Sequence, residues 1–171
     1  LKPVVAKDKY ELLADGMRRT LELLKEENSQ LPLKALGIGA TGLGKTYALS
    51  QFLETWFAQG YGKVLLLGER WSYLLGNVQK LGDHNVVTLQ KSTEDLDSEV
   101  EKGDVIISTF RLLYSRGSVG IADKFDMLVV DEAHYALAPT YRSVIDWFSD
   151  RVLMLLGLTA TPRRGDSQHI G

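Results

Sequence analysis

A glycine-rich segment in the first third of the chain has the residue types needed to bind a nucleoside triphosphate. It fits the pattern G-x-x-x-x-G-K-[S/T] and runs through Gly39, Ala40, Thr41, Gly42, Leu43, Gly44, Lys45 and Thr46. Glycines permit a sharp turn in which backbone N–H groups approach phosphate oxygens. Lys45 could reach the β- and γ-phosphates, and the Thr46 hydroxyl could bind Mg2+. The segment predicts a phosphate-binding loop; the plainer alternative is a glycine-rich turn that binds nothing.

A pair of acids directly follows an apolar run later in the chain. Residues 127–130 are Met-Leu-Val-Val, and Asp131 and Glu132 come next. A buried strand that ends here would deliver Asp131 to Mg2+ and Glu132 to the water that attacks the γ-phosphate. We expect this strand to lie beside the strand that precedes the glycine-rich segment. His134 could hydrogen-bond toward the γ-phosphate or toward a later motif, or it could be an ordinary surface or core histidine.

A threonine pair ends the last apolar run of the chain. Thr159 and Thr161 flank Ala160. Their hydroxyls could contact the 131–134 segment and report the state of the nucleotide elsewhere. Alternatively, they merely cap the end of a strand.

Alternating apolar and amphipathic segments supply the elements that must position these residues. Strands are predicted at 33–38, 63–67, 85–89, 104–108, 125–130 and 152–158, and helices at 8–28, from 45 to near 60, 70–81, 110–114 and 140–148. Residues 91–103 are polar and acidic and are interpreted as a solvated surface segment, and 115–120 as a loop. Strands separated by helices favour a parallel sheet with right-handed crossovers. The reactive side chains should therefore meet at the carboxyl ends of the strands.

The composition limits the class of protein. The 171 residues suit one domain, 1–171, and the formal net charge of −2 is unlike the strongly positive balance of a chain coated for nucleic-acid binding. Cysteine is absent, which excludes disulfides, thiol catalysis and thiolate zinc sites. No apolar run reaches membrane-spanning length, so we expect a cytoplasmic protein without a membrane partner. The chain starts at Leu1 and ends soon after the threonine pair, so we expect a fragment of a longer protein.

The motifs GATGLGKT, DEAH and TATP, in this order, resemble motifs I, II and III of superfamily 2 helicases and translocases. Segments 125–134, 141–148 and 156–166 are further similar to the restriction-enzyme-type branch, which includes motor subunits of type I and type III restriction enzymes. The similarity extends from about residue 10 to the end of the chain.

This resemblance implies an α/β fold: a three-layer RecA-like P-loop NTPase domain with a mainly parallel central sheet flanked by helices. It implies ATP and Mg2+ as cofactors and an ATP hydrolase that moves along nucleic acid, with DNA favoured over RNA. Lys45, Asp131, Glu132 and His134 would be catalytic, Thr46 and Asp131 would bind the metal, and Thr159, Ala160 and Thr161 would couple hydrolysis to movement. Arg70, Ser108 and Thr109 would contact the nucleic-acid backbone; an exposed arginine at a helix start and strand-end caps are the alternatives.

The sequence departs from the family pattern in three places. Met17 or a neighbour occupies the place where many relatives carry an adenine-reading Gln, and Gly76 and Asn77 stand where a strand-gripping Gln is usual. The second RecA-like domain, which supplies an arginine finger, is not within these residues, so we expect the isolated chain to hydrolyse ATP weakly.

Two other classes of function remain open. A non-motor P-loop enzyme is one, although the Asn-Lys-x-Asp segment of GTPases and the Leu-Ser-Gly-Gly-Gln segment of transporter ATPases do not occur. A binding module that holds ATP as a switch is the other. The ATPase activity with and without nucleic acid distinguishes both from a motor.

Overall fold

A six-stranded sheet flanked by helices organises the chain in a computed structural model, which describes residues 9–26, 31–38, 45–70, 74–75, 78 and 81–160, without the side chains of 9–14, 45–46 and 118–119. The helices are α1 (Lys9–Leu24), α2 (Lys45–Ala58), α3 (Leu96–Glu101), α4 (Phe110–Arg116) and α5 (Pro139–Ser149). The strands are β1 (Leu33–Ile38), β2 (Val64–Gly68), β3 (Val86–Thr88), β4 (Val105–Thr109), β5 (Met127–Asp131) and β6 (Met154–Thr159). Two 3-10 helices span Ser118–Lys124 and Ala133–Tyr135, and residues 74, 75 and 78 are helical. In these described ranges no helix is long and apolar enough to cross a membrane.

The sheet has the strand order β1-β6-β5-β2-β4-β3, and every pairing is parallel. The central strands β2 and β5 are apolar and buried because helices cover both faces of the sheet. One face packs against α1 and α2, with a core that includes Met17, Leu21, Phe52, Leu53, Trp56, Leu66 and Val129. The other face packs against α3, α4 and α5, with a core that includes Leu65, Val100, Phe110, Leu113, Leu128, Val144 and Phe148. The predicted three-layer arrangement is confirmed.

One prediction about the sheet is wrong. The strand that ends at Asp131 does not lie beside the strand that precedes the glycine-rich segment, because β6 is inserted between β1 and β5. Parallel strands lie about 4.8 Å apart, so the backbones of β1 and β5 are separated by roughly 10 Å. The two strands still end at the same edge of the sheet.

The acidic segment 91–103 is not a featureless surface stretch, because it contains helix α3. The Asp95 carboxylate caps this helix by accepting hydrogen bonds from the backbone N–H groups of Asp97 and Ser98, at 3.0 and 3.1 Å. Val100 is fully buried against the sheet. In the sequence, helix α3 is marked only by the capping residue Asp95 and the buried Val100. One buried position gives too little apolar periodicity to predict a helix from the pattern alone. The loop expected at 115–120 likewise holds the end of α4 and the start of a 3-10 helix.

Candidate functional site

Three strand ends lie side by side at the carboxyl edge of the sheet. Ile38, the last residue of β1, is in register with Thr159, the last residue of β6. Asp131, the last residue of β5, is in register with Leu158 on the same neighbour. Because β6 lies between them, Thr159 separates the end of β1 from the acid pair. This edge is where open parallel sheets bind their ligands.

The predicted phosphate loop connects β1 to α2. Residues 39–44 and Thr161 lie outside the described residues, and so do the side chains of Lys45 and Thr46. The structure gives the backbone on both sides: β1 ends at Ile38 and α2 begins at Lys45. A strand before residues 39–44 and a 14-residue helix after them agree with the predicted order of strand and helix. The N-terminus of a helix favours phosphate through its free N–H groups and its dipole.

The backbone turns sharply between the two acids. Asp131 still belongs to β5 and is half-buried, whereas Glu132 has a φ of +52°, in the left-handed region. A non-glycine residue in that conformation carries strain, which the surrounding structure must offset.

His134 connects the acid pair to the last strand. Its Nδ1 lies 3.1 Å from Glu132 Oε2 and 3.1 Å from the Thr159 hydroxyl oxygen. A carboxylate can only accept a hydrogen bond, so Nδ1 can donate to Glu132 only in the form that carries a proton there, whereas the Thr159 hydroxyl can either accept from Nδ1 or donate to it. Thr159 is fully buried, and the His134 side chain is 20% exposed. The expectation that a threonine hydroxyl contacts the 131–134 segment is confirmed for Thr159. Ala160 follows in a bend and is half-buried.

A glycine on β6 allows the 131–134 segment to pack closely over the sheet. A Cβ atom placed on Gly157 would lie 3.0 Å from Ala133 Cβ and 2.9 Å from Leu36 Cδ1. Ala133 is buried and its Cβ is fixed by the backbone, so it cannot move aside without shifting its neighbours. The small residue at 157 therefore permits the contact between His134 and β6.

The described part of this edge fits the donors that Mg2+ prefers. Mg2+ takes oxygen ligands and is usually held by one or two carboxylates together with substrate phosphates and water. Asp131 supplies a carboxylate at the end of the buried strand β5, at the carboxyl edge of the sheet.

Next to this site, a cavity of about 280 Å3 opens at the ends of β2 and β4. Its lining residues are Glu69, Arg70, Phe110, Arg111 and Tyr141. Arg70 is exposed just beyond β2, and Arg111 is exposed in the first turn of α4. Because β2 is the neighbour of β5, this cavity lies next to the strand that carries Asp131. Two guanidinium groups beside one carboxylate give the cavity a positive balance suited to an anion such as phosphate.

Tyr141 forms one wall of this cavity. Its ring stacks on Phe110 with centroids 4.0 Å apart and an interplanar angle of 8°, and its hydroxyl donates a 3.0 Å hydrogen bond to Glu69 Oε1. Burial, and then the hydrogen bond to Glu69, raise the pKa of Tyr141 to about 12. The phenol therefore stays protonated and remains a donor at neutral pH.

The two residues predicted to contact nucleic acid from β4 have other surroundings. Ser108 is fully buried, and its hydroxyl finds no hydrogen-bond partner among the residues that the structure describes. The Ser108 side chain is therefore not exposed in this structure, and its contact with nucleic acid stays a prediction. The Thr109 hydroxyl caps α4 by accepting a 3.2 Å hydrogen bond from the backbone N–H of Leu112.

Four of the residues that shape these sites were not identified from the sequence. They are Glu69, Arg111, Tyr141 and, as a spacing residue, Gly157. Arg111 lies two residues after Thr109, which the sequence did single out, and this proximity could have identified it. Glu69 and Tyr141 are 72 residues apart, and no sequence pattern indicated that they meet.

Comparisons with known proteins place this geometry among restriction and helicase proteins. The family described as "Type III restriction enzyme, res subunit" matches residues 14–164. A Saccharomyces cerevisiae protein, IRC3, named as a candidate ATP-dependent helicase, is 29% identical over 149 residues, which are 79% of this chain and 21% of that protein. The chain thus spans about a fifth of the length of this curated relative.

Two solved structures share the fold. A nuclease-deletion mutant of the type ISP restriction-modification enzyme LlaGI, in complex with a DNA substrate mimic, has a TM-score of 0.66 at 18% identity, over 97% of this chain and 18% of that chain. The Sulfolobus solfataricus SWI2/SNF2 ATPase core in complex with dsDNA has a TM-score of 0.67 at 13% identity, over 95% of this chain and 33% of that chain.

Proposed function

The chain belongs to the family of the type III restriction enzyme res subunit, and from this premise we propose that it is the first RecA-like motor domain of a longer DNA-dependent ATPase. The observation that carries the proposal is the side-by-side alignment of three strand ends: Ile38 before the phosphate loop, Thr159 and Asp131. This alignment brings the phosphate-binding and acidic segments to one edge of the sheet.

Different residues at that edge would have different roles in ATP hydrolysis. The backbone of residues 39–44 and the Lys45 side chain would hold the phosphates, and Thr46 and Asp131 would hold Mg2+. When bound, Mg2+ offsets the negative charge of the phosphate oxygens. Glu132 directly follows Asp131 at the end of β5, which supports a role for this carboxylate in orienting a water molecule and accepting its proton.

The cavity at the ends of β2 and β4 would take the nucleic-acid backbone. Among the described residues that line it, Arg70 and Arg111 are cations, and both are exposed. Contact with phosphates rather than base edges suits a motor that must move over any sequence. The titles of the LlaGI and Sulfolobus solfataricus structures name DNA, which supports DNA as the partner rather than RNA.

Thr159 and Thr161 would couple the two activities, with Ala160 between them. The contact between Thr159 and His134 supports this role, since a movement of His134 beside the acid pair would displace the Thr159 side chain at the end of β6. A second RecA-like domain elsewhere in the protein would complete the ATP site with an arginine, so we expect the isolated chain to hydrolyse ATP weakly.

The test measures the ATPase rate of the full-length protein that contains this chain, with and without duplex DNA and RNA. We expect DNA to stimulate the rate and Lys45→Ala to abolish it, while Lys91→Ala, at an exposed surface lysine, keeps the wild-type rate. An ATPase rate indifferent to every nucleic acid would favour a non-motor P-loop enzyme. ATP binding without turnover would favour an ATP-switched module.

A second measurement addresses the cavity. Neutralising an arginine that contacts a phosphate reduces the slope of log K against log [salt] by about one. We expect this reduction for Arg70→Ala and for Arg111→Ala. Arg18→Ala, at an exposed arginine of α1 that pairs with Asp15, is the control. An unchanged slope in both cavity variants would show that DNA binds elsewhere.

A further inference from the structure

A continuous row of side chains connects the two sites at the carboxyl edge of the sheet. Tyr135 follows the DEAH segment, and its ring lies between those of His134 and Tyr141. The ring centroids of Tyr135 and His134 are 4.1 Å apart, and those of Tyr135 and Tyr141 are 6.2 Å apart at an interplanar angle of 77°. The second arrangement is the edge-to-face geometry that aromatic pairs prefer.

The far end of this row is anchored in the walls of the 280 Å3 cavity. Tyr141 stacks on Phe110, which is only 1% exposed and is therefore fixed by the core. The Tyr141 hydroxyl donates to Glu69, the residue next to Arg70. A shift of the chain at the end of β2 or β4 would therefore be transmitted to the Tyr141 ring.

The near end of the row reaches the acid pair. His134 Nδ1 contacts both the Glu132 carboxylate and the Thr159 hydroxyl at 3.1 Å. A displacement of the imidazole would change both contacts together, because they share one nitrogen atom. The position of the Glu132 carboxylate thus depends on the packing of the His134 ring.

We propose that Tyr135 is a positioning residue that couples occupation of the cavity to the orientation of Glu132, through contacts with Tyr141 and His134. Tyr135 is 42% exposed, so burial in the core does not account for its position. The proposal rests on the proposed function, since it assumes that nucleic acid occupies the cavity and that Glu132 acts on water. Packed side chains that can adopt two arrangements are the physical means by which two sites influence each other.

Coupling is reciprocal, so it can be measured from either site. In the full-length protein we would measure the Kd for a labelled DNA duplex with and without a non-hydrolysable ATP analogue. The DNA-stimulated and unstimulated ATPase rates form the second readout. One ratio compares the Kd for DNA without and with the ATP analogue, and the other compares the ATPase rate with and without DNA. For Tyr135→Leu we expect both ratios to come at least fivefold closer to one than in the wild-type protein.

Two further variants separate coupling from structural damage. Tyr135→Phe keeps the ring and should retain wild-type coupling. Tyr114→Leu removes another exposed tyrosine, on α4, whose ring lies 6.2 Å from that of Trp147 and outside this row, and it should also retain coupling. Equal loss in Tyr114→Leu and Tyr135→Leu would overturn the proposal, because the effect would then be general.

The wild-type protein tests the proposed function separately. If its ATPase rate ignores DNA and its DNA affinity ignores the ATP analogue, the proposed function fails and the coupling role fails with it. If the wild-type protein shows both effects and Tyr135→Leu shows them undiminished, only the role of Tyr135 is overturned.

Discussion

The Nδ1 atom of His134 lies 3.1 Å from the hydroxyl oxygen of Thr159, and this contact joins the segment after β5 to the end of β6. The two residues are 25 positions apart in the chain, yet β6 brings them together because it pairs directly with β5. The same nitrogen also contacts Glu132. A movement of the acid pair can therefore be transmitted through His134 to β6, the strand that precedes residues 160 and 161.

Thr159→Val should weaken this link while keeping the shape of the side chain. Loss of a buried hydrogen bond typically costs about 1 kcal/mol, so we expect the free energy of unfolding in urea to fall by that amount. We also expect the stimulation of ATPase activity by DNA to fall, because His134 loses its partner on β6. Thr159→Ser keeps the hydroxyl and should behave like the wild-type protein; equal defects in both variants would contradict the hydrogen-bond argument.

Glu132 is expected to show opposite effects on stability and activity. Its φ of +52° costs an L-residue with a side chain about 1 kcal/mol, which glycine does not incur. Relative to Glu132→Gln, we therefore expect Glu132→Gly to be more stable by up to about 1 kcal/mol in urea unfolding. Both should lower the ATPase rate by about 100-fold or more, since each lacks the carboxylate that would accept a proton. A less stable glycine variant would show that the turn is not strained.

Gly157→Ala should disturb the site through packing. The new methyl group would press on Ala133 at 3.0 Å, and overpacking of this kind costs about 1–3 kcal/mol. We expect a lower melting temperature and a lower ATPase rate, because Ala133 directly follows Glu132. Gly16→Ala is the matched control: in helix α1 no atom of the described residues lies within 4 Å of the new Cβ, so stability should rise by about 0.5–1 kcal/mol.

Replacement by alanine should lower the free energy of unfolding at Thr109 but not at Ser108. A buried hydroxyl without a partner costs about 1–3 kcal/mol, so Ser108→Ala should raise the free energy of unfolding or leave it unchanged. Thr109→Ala removes the cap of α4 and should lower it by about 1 kcal/mol. Urea unfolding of the two variants checks both signs. A loss of DNA affinity in Ser108→Ala without a loss of stability would support Ser108 as a contact residue.

Tyr141 makes the protein sensitive to alkaline pH. Its pKa is raised from 10.0 to about 12, so the fold favours the protonated phenol. The stability that this group contributes is complete below pH 10, where the unfolded chain also keeps the proton, and it is lost as the pH rises through about 12. Phenolate absorbance should show one late titration step that disappears in Tyr141→Phe. If that variant keeps the late step, another tyrosine is responsible.

The residues proposed to carry the chemistry could be identified from local sequence. Lys45, Asp131 and Glu132 stand in short motifs beside apolar runs, and those runs form β1 and β5 as predicted. Parallel pairing also followed from the alternation of strands and helices. These features depend on neighbours within a few positions, so the linear order of residues contains the information.

The tertiary structure alone decided which of these segments touch. The insertion of β6 between β1 and β5, the burial of Ser108 and the meeting of Glu69 with Tyr141 all depend on pairings between distant parts of the chain. An apolar run indicates that a strand is buried, but many partners could bury it equally well. Local sequence was enough to predict the candidate reactive groups and the elements that carry them. Only the packing of the sheet and its helices decided which groups came within hydrogen-bonding distance, because long-range pairing and steric fit have no local signature.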